Sequence, residues 1–485
     1  MNWKSIRSLL IATLLAIAAI GCVHDPRATA EPTAPAAAAS AVAPLPATLI
    51  RFIDRVSVSH QQVPRITAAA EAAAKGKADH PEALVNLTYS LQPSFGEDLL
   101  NRSGGLAGAL PSGERRGLIT DHDIVVFSIR SWQTNGEAGL KYLERCRARG
   151  WLTILFASAA GKPENLEVDF FIDNGAAGGG EDEGPLNLIA NVLNGWLWVC
   201  EYAAALTRYG KHPGFLQSIT TPGSSRHNKV YQNKSTRHHV YPCDTPVPAG
   251  DLARIYLRRV GRLINDLSGQ TTRSQIDKAA AIIADRLESG GKVVISTSTH
   301  IMLNDIYKNN QTPWKPINTL RRMPEALAEH VKEGDLFFWL GFNGVSIWWY
   351  PQGGSSRLYK DYDTYLRQAK VDLITCFATD PLHALNNGHG ALAHIEQNWD
   401  FGDSVVPVPF PPGRIAPISG LCQALLYRML DEAAAAHLGP ETTDHPQRPH
   451  ERTTRRATLT WNHSTMGRAA GICEWTIFGV PPGSR

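Results

Sequence analysis

The chain has 485 residues, of which 43% are hydrophobic and 19% are charged, and this length and composition suffice for two hydrophobic cores of ordinary domain size. The formal net charge is +3, and no run of five or more lysines and arginines occurs. Because nucleic-acid binding depends on concentrated positive charge, nucleic acid is excluded as a partner.

The amino terminus has the pattern of an export signal. Lys4 and Arg7 precede an uncharged run over residues 8–20, and the run ends at Gly21 and Cys22. Since this run is too short for a comfortable membrane span, we expect a cleaved signal rather than a transmembrane helix. The mature chain is therefore predicted to leave the cytoplasm.

Two alternative cleavage sites follow the uncharged run. Residues 19–22 resemble the lipobox of bacterial lipoproteins, which implies lipidation of Cys22 and a membrane anchor in the cell envelope. Residues 28–30 offer a competing site of the Ala-x-Ala type. We expect lipidation at Cys22, followed by an Ala/Pro-rich tether over residues 23–48.

An internal duplication organises the rest of the chain. In each copy an alanine-rich helix precedes a strand, a second strand follows an aspartate, a helix leads into a buried strand, and a long apolar helix ends the copy. This alternation predicts an α/β fold of two tandem domains, each a mainly parallel sheet with helices on both faces in three layers. The matched segments are 67–75 and 275–287, 123–127 and 335–339, 142–158 and 365–379, and 188–208 and 418–437. The predicted division is signal 1–22, tether 23–48, first domain 49–212, linker 213–250, second domain 251–439 and non-globular tail 440–485.

A group of polar residues follows an apolar strand pattern in the first copy. Residues 124–127 are apolar, and a helical pattern begins shortly after them. The polar residues are Ser128, Ser131, Gln133, Thr134 and Asn135. Hydroxyls and backbone N–H groups that converge on a helix N-terminus favour negative charge, so we predict an anion site. Ordinary helix capping by serine and threonine is the alternative.

The order strand, Ser-x-x-Ser-x-x-Thr, helix resembles the phosphate loop of SIS (sugar isomerase) domains. Ile129 and Trp132 stand where those domains usually carry serine and glycine. The paired organisation over residues 49–438 is similar to the isomerase half of glucosamine-6-phosphate synthase. The resemblance implies two tandem SIS-like domains with a phosphorylated sugar or another carbohydrate derivative as ligand. A homodimer is left open.

A second polar loop follows a strand of the second copy, residues 292–295. In the SIS family two loops hold the ligand, so this loop is a second candidate binding segment. Its residues are Ser296, Thr297, Ser298 and Thr299, with His300 at the end. An imidazole there is a candidate for ring opening or proton transfer. Isomerisation also needs a carboxylate base, for which the candidates are Glu97, Glu137 and Glu396.

The sequence predicts no metal ion and no cofactor. Six cysteines besides Cys22 are widely spaced without a C-x-x-C pair, so neither a zinc knuckle nor a dense disulfide framework is indicated. Histidines and a cysteine within 238–243, and histidines at the ends of 389–394, are more simply explained as loop decoration. We expect Cys200, Cys376 and Cys422 to act as buried small hydrophobic residues.

Binding of a phosphorylated sugar by an exported protein is the function that the sequence favours, with catalysis left open. Sugar phosphates are mainly intracellular, which favours binding over metabolic turnover in an exported chain. An active aldose–ketose sugar-phosphate isomerase is the first alternative. A degenerate pair of SIS-like domains that serves as an interaction scaffold is the second.

Overall fold

The computed structural model describes most of the chain between residues 44 and 439. The described residues are 44–87, 93–100, 102–107, 110–111, 120–176, 184–218, 221, 223–231, 239–297, 314–317, 325–328, 330–343, 365–378, 390–399 and 403–439. The predicted signal, nearly all of the predicted tether and the predicted tail lie outside this part. The described residues from Leu45 onward belong to one compact unit.

The first lobe is a five-stranded parallel sheet in the order β2-β1-β3-β4-β5. Its strands are β1 (Val85–Leu87), β2 (Leu110–Pro111), β3 (Ile124–Ser128), β4 (Leu152–Ala157) and β5 (Phe170–Asp173). Its helices are α1 (Ala47–Asp79), α2 (Pro93–Leu99), α3 (Trp132–Arg147) and α4 (Gly184–Arg208). The strands β3 and β4 are buried on both faces, which is why they appear in the sequence as continuous apolar runs.

The second lobe repeats this strand order with a second five-stranded parallel sheet, β9-β8-β10-β11-β12. Its strands are β8 (Val293–Thr297), β9 (Trp314–Ile317), β10 (Leu336–Asn343), β11 (Asp372–Ala378) and β12 (Ala393–Glu396). Its helices are α6 (Asp251–Ser268), α7 (Gln270–Glu288), α8 (Glu325–Ala328) and α9 (Ser419–Leu438). A short antiparallel pair, β13 (Ser404–Pro407) and β14 (Arg414–Pro417), precedes α9.

Corresponding aspartates hold the same position in both sheets. The Asp123 carboxylate accepts a hydrogen bond from the Leu84 amide at 3.0 Å, just before β1. The Asp335 carboxylate accepts one from the Lys292 amide at 3.1 Å, just before β8. The prediction of an α/β fold built from two tandem parallel-sheet units is confirmed.

The inner faces of both sheets share one hydrophobic core. Side chains of one face, such as Val126 and Phe338, belong to a cluster that includes α1, α4, α6, α7 and α9. The outer faces are covered separately, by α3 in the first lobe and by α8 with its neighbouring segments in the second. Each sheet therefore lies between two helical layers, as predicted.

Helix α4 lies at the centre of the shared core. Residues 184–207 are all buried, as expected for a helix that is apolar on every side. Trp196 and Trp198 are among its largest fully buried side chains, and burial of such a side chain stabilises the fold by roughly 1.5–3 kcal/mol. The helix packs against α1 on one side and α6 on the other.

Regular elements occur within the segment predicted as a linker. β6 (Lys211–Pro213) pairs antiparallel with β7 (Val240–Pro242), and α5 (Ser224–Tyr231) lies between them in sequence. His212 stacks on Phe410 of the second lobe with ring centroids 4.7 Å apart. The domain boundaries themselves stay a prediction.

The five cysteines in the described part of the chain are free and buried. Burial raises the pKa of the Cys200 and Cys422 thiols well above the usual value, so neither supplies a reactive thiolate. This confirms the expectation of buried small hydrophobic residues. Among the helices of the described residues, none combines the length and apolar character that crossing a bilayer requires.

Candidate functional site

The segment for which an anion site is predicted lies between β3 and α3, at the carboxyl edge of the first sheet. Ser128 is the last residue of β3 and is buried. Ser131 precedes α3 with an extended backbone, and its hydroxyl donates to Gln133 Oε1 at 2.7 Å instead of capping the helix. Thr134 Oγ1 donates to Asn135 Oδ1 at 3.1 Å. Four of the five predicted residues therefore lie together around the first turn of α3.

The N-terminus of α3 differs from those of three other long helices. At the start of α1, the Glu432 carboxylate accepts two amide hydrogen bonds, at 2.7 and 3.0 Å. At the start of α6, Glu201 accepts two, at 2.6 and 2.9 Å. At the start of α9, Asp403 accepts one at 2.9 Å. Helix α3 has no acidic residue in its first turn and no side-chain cap. Among the described residues, the positive end of the α3 dipole therefore has no carboxylate of the kind that these three helices have.

A cation lies at the same loop. Arg130 is half-buried and packs against Gly184, the first residue of α4, where an added Cβ would lie 2.5 Å from the guanidinium nitrogens Nε and Nη2. A side chain at position 184 would therefore require the guanidinium to shift. The guanidinium lies at the start of α4 and just before α3, where the positive ends of the two helix dipoles meet.

Asparagines of α4 hold the loop from behind. Asn187 Nδ2 donates to the Arg130 carbonyl at 3.1 Å, and Asn191 Nδ2 donates to the Ile129 carbonyl at 3.2 Å. Spacing of four residues places the two amides on one helix face. The Oδ1 atom of Asn187 is buried and has no hydrogen-bond partner among the described residues. This support fixes the backbone that presents Arg130 and Ser131.

Trp132 connects the loop to the next strand. Its indole Nε1 donates to the Ser158 carbonyl after β4 at 2.8 Å. An added Cβ would lie 3.3 Å from its ring at Gly136 of α3 and 3.5 Å from it at Gly161, in the loop after β4. The bulky residue that stands in place of the glycine of the SIS pattern therefore packs between α3 and the loop after β4.

The other predicted site residues are less well placed or lie outside the described part of the chain. Ser296 is buried at the end of β8, while the Thr297 side chain and the residues Ser298, Thr299 and His300 are outside that part. The Glu97 side chain is also outside it. Glu396 lies 3.5 Å from His394 Nε2 on the edge strand β12. All of these assignments stay predictions.

Glu137 lies on the exposed side of α3. Its carboxylate pairs with Lys141 at 2.6 Å, and this hydrogen bond and charge lower the pKa of Glu137. A proton-abstracting base works best with a pKa near the working pH. The pairing therefore favours a surface ion pair over the role of a catalytic base.

Comparisons with known proteins find structural likeness but no sequence match. No protein-family model matches the chain. No curated protein matches it either. A protein named as sugar-binding from Salmonella typhimurium is 12% identical with a TM-score of 0.44, covering 81% of this chain and 98% of its own. The C-terminal domain of glucosamine-fructose-6-phosphate aminotransferase from Francisella tularensis is 9% identical with a TM-score of 0.41, covering 79% and 95%. Tagatose-6-phosphate ketose/aldose isomerase from Escherichia coli is 12% identical with a TM-score of 0.40, covering 84% and 94%. The ligands and substrates in these names belong to those proteins and describe nothing of this chain.

Proposed function

We propose that this tandem SIS-like protein binds a phosphorylated sugar or a related anionic carbohydrate derivative at the carboxyl edge of its first sheet. The observation that supports the proposal is the uncapped start of α3 beside the Arg130 guanidinium. Anions bind at helix N-termini because backbone N–H groups point at them and the dipole favours negative charge. An arginine at the same place adds charge-assisted hydrogen bonds.

The two hydroxyls of the first turn rearrange when the ligand binds. Ser131 and Thr134 now donate to neighbouring side-chain oxygens, at 2.7 and 3.1 Å. A phosphate oxygen is a stronger acceptor than a neutral amide oxygen, so both hydroxyls gain by turning toward it. The amides of Gln133 and Asn135 are then released to contact sugar hydroxyls. The proposal covers binding and assigns no catalytic base.

The double variant Ser131→Ala/Thr134→Ala tests this site. We expect its affinity for glucosamine-6-phosphate or fructose-6-phosphate to fall at least tenfold, because two hydrogen bonds to a charged group are lost. The melting temperature should change little, since Ser131 makes no capping bond. Isothermal titration and thermal unfolding of the same preparations measure both quantities.

Helix α7 provides the matched control, because it also begins without a side-chain cap. Thr271→Ala/Ser274→Ala removes two hydroxyls from its first turns and should leave affinity unchanged. If the α3 variant instead loses about 1 kcal/mol of stability with unchanged affinity, the serine and threonine act in helix capping alone, and the proposed site is wrong.

Experiments with the same sugar phosphates distinguish the alternative functions. An active isomerase would exchange the proton beside the sugar carbonyl with solvent deuterium, which nuclear magnetic resonance detects. A scaffold would bind none of the sugar phosphates tested. Binding without exchange is the result that the proposal requires.

We also propose that the protein is exported and anchored through lipid on Cys22, on the basis of the apolar run that ends at Gly21 and Cys22. In a bacterial host, Cys22→Ala should move the protein from the membrane fraction to the soluble fraction and abolish incorporation of labelled fatty acid. Membrane association that persists in this variant would indicate an uncleaved helix instead.

A further inference from the structure

Three potential metal ligands meet at the opposite edge of the first sheet from the candidate anion site. His80 and Glu82 lie between α1 and β1, and His122 lies in the turn before β3. Their nitrogen and oxygen donor atoms all lie within 4.8 Å of one another. The two imidazoles are stacked, with ring centroids 3.5 Å apart and planes inclined by 10°.

The donor atoms lie close to the spacing of ligands around one metal ion. Zinc binds histidine nitrogen and carboxylate oxygen at about 2.0–2.2 Å, so two ligands at tetrahedral angles lie about 3.4 Å apart, and His80 Nδ1 is 3.6 Å from Glu82 Oε1. An imidazole binds a metal in the plane of its ring, so the two stacked rings must turn out of their stack to point at one ion. Glu82 and His122 are exposed, which leaves their side chains room to turn.

The backbone that carries these ligands is held by buried polar groups. The Lys77 ammonium donates to the Pro81 carbonyl at 2.5 Å and to the Ala83 carbonyl at 2.6 Å, on both sides of Glu82. On the other segment, Thr120 Oγ1 accepts the His122 amide at 3.3 Å and donates to Asp123 Oδ1 at 2.7 Å.

Asp123 joins the two segments, since its carboxylate also accepts the Leu84 amide. These hydrogen bonds hold the backbone on both sides of the three ligands, which lowers the cost of assembling a metal site.

We propose that His80, Glu82 and His122 bind one Zn²⁺ ion, with water as the fourth ligand. Two imidazoles and one carboxylate suit zinc rather than magnesium or calcium, which prefer all-oxygen sites. The ion fastens the end of α1 to the entry of β3. Sequence spacing predicted no metal because the third ligand comes from a segment forty residues later, brought near only by the parallel pairing of β1 with β3.

Zinc titration of the full chain in mild detergent tests the proposal. After treatment with chelator, the unmodified protein should bind one Zn²⁺ that His122→Ala binds at least tenfold more weakly. Zinc should raise the melting temperature of the unmodified protein and leave that of His122→Ala unchanged. The chain has 17 histidines, and others among them can also bind zinc. The measured quantity is therefore the difference in zinc affinity between the variants.

His330→Ala is the matched control, since His330 is exposed and lies in the second lobe; it should retain the site. Glu82→Gln removes one ligand while preserving shape, and should weaken zinc binding as His122→Ala does. Co²⁺ should give the visible absorption of a four-coordinate ion in the unmodified protein and lose it in both ligand variants. Equal zinc affinity in all four proteins, or no zinc binding by the unmodified chain, would overturn the proposal.

Discussion

Replacing Arg102 by methionine should lower the free energy of unfolding by about 3–5 kcal/mol, because it leaves buried carboxylates without their counter-charge. Arg102 forms an ion pair with Asp98 and a second one with Asp403 at 3.0 Å, and it donates to Ser419 Oγ at 2.9 Å. The three charged side chains are only 6%, 1% and 0% exposed. This cluster joins the segment after α2 to the start of β13 in the other lobe.

Equilibrium unfolding in urea measures the effect. Arg254→Met is the matched control, because Arg254 pairs with Asp251 on the surface at 2.7 Å, where loss of an ion pair costs less than about 1 kcal/mol. Burial raises the pKa of Asp98. If this carboxyl takes up a proton in the variant, one buried charge disappears, and the loss of unfolding free energy falls near the lower end of the range of about 3–5 kcal/mol. Equal stability of the two variants would show that the buried cluster does not hold the lobes together.

The architecture was predictable from local sequence patterns. Strands buried on both faces leave continuous apolar runs. The turns before β3 and β10 are each followed by an aspartate, Asp123 and Asp335. The structure gives the physical reason for that repetition, since each carboxylate accepts the amide at the start of the neighbouring strand. Periodicity and duplication therefore carry fold information without any knowledge of tertiary contacts.

The helix ends could not be predicted in the same way. Glu201 caps α6 from within α4, and Glu432 caps α1 from the far end of the chain. In each case the acidic residue lies within another helix. Helix α6 has Asp251 in its first turn, which the sequence predicts as its cap, yet the structure shows no side-chain cap from it. Partners this distant in sequence become visible only when the helices pack.

The placement of the loop between β3 and α3 was predictable only in part. Polar residues after an apolar strand indicated its position, and Ser131, Gln133, Thr134 and Asn135 do surround the start of α3. Arg130 was not singled out, because its role depends on Gly184 and the start of α4. The spacing of Asn187 and Asn191 on an otherwise apolar helix is a sequence signal that could have indicated the polar support behind the loop.

The Lys77 ammonium should make stability rise with pH in the alkaline range. The side chain is 3% exposed, and desolvation lowers its pKa from 10.5 to about 8. Between these two values the unfolded chain binds a proton that the folded chain has released, so the free energy of unfolding increases with pH. The whole rise amounts to about 3 kcal/mol, and below pH 8 both states hold the proton and no slope remains.

Lys77→Met should abolish this rise, whereas Lys75→Met should keep it, because Lys75 is exposed and paired with Asp79 at 2.6 Å. Urea unfolding of the three proteins from pH 7.5 to 10.5 in the presence of chelator measures the slopes without interference from bound metal. The comparison of Lys77→Met with the unmodified protein leaves the tyrosines and cysteines unchanged, so their contributions cancel in that difference. A slope that is the same in Lys77→Met and in the unmodified protein would show that Lys77 stays protonated when buried, stabilised by the carbonyls of Pro81 and Ala83.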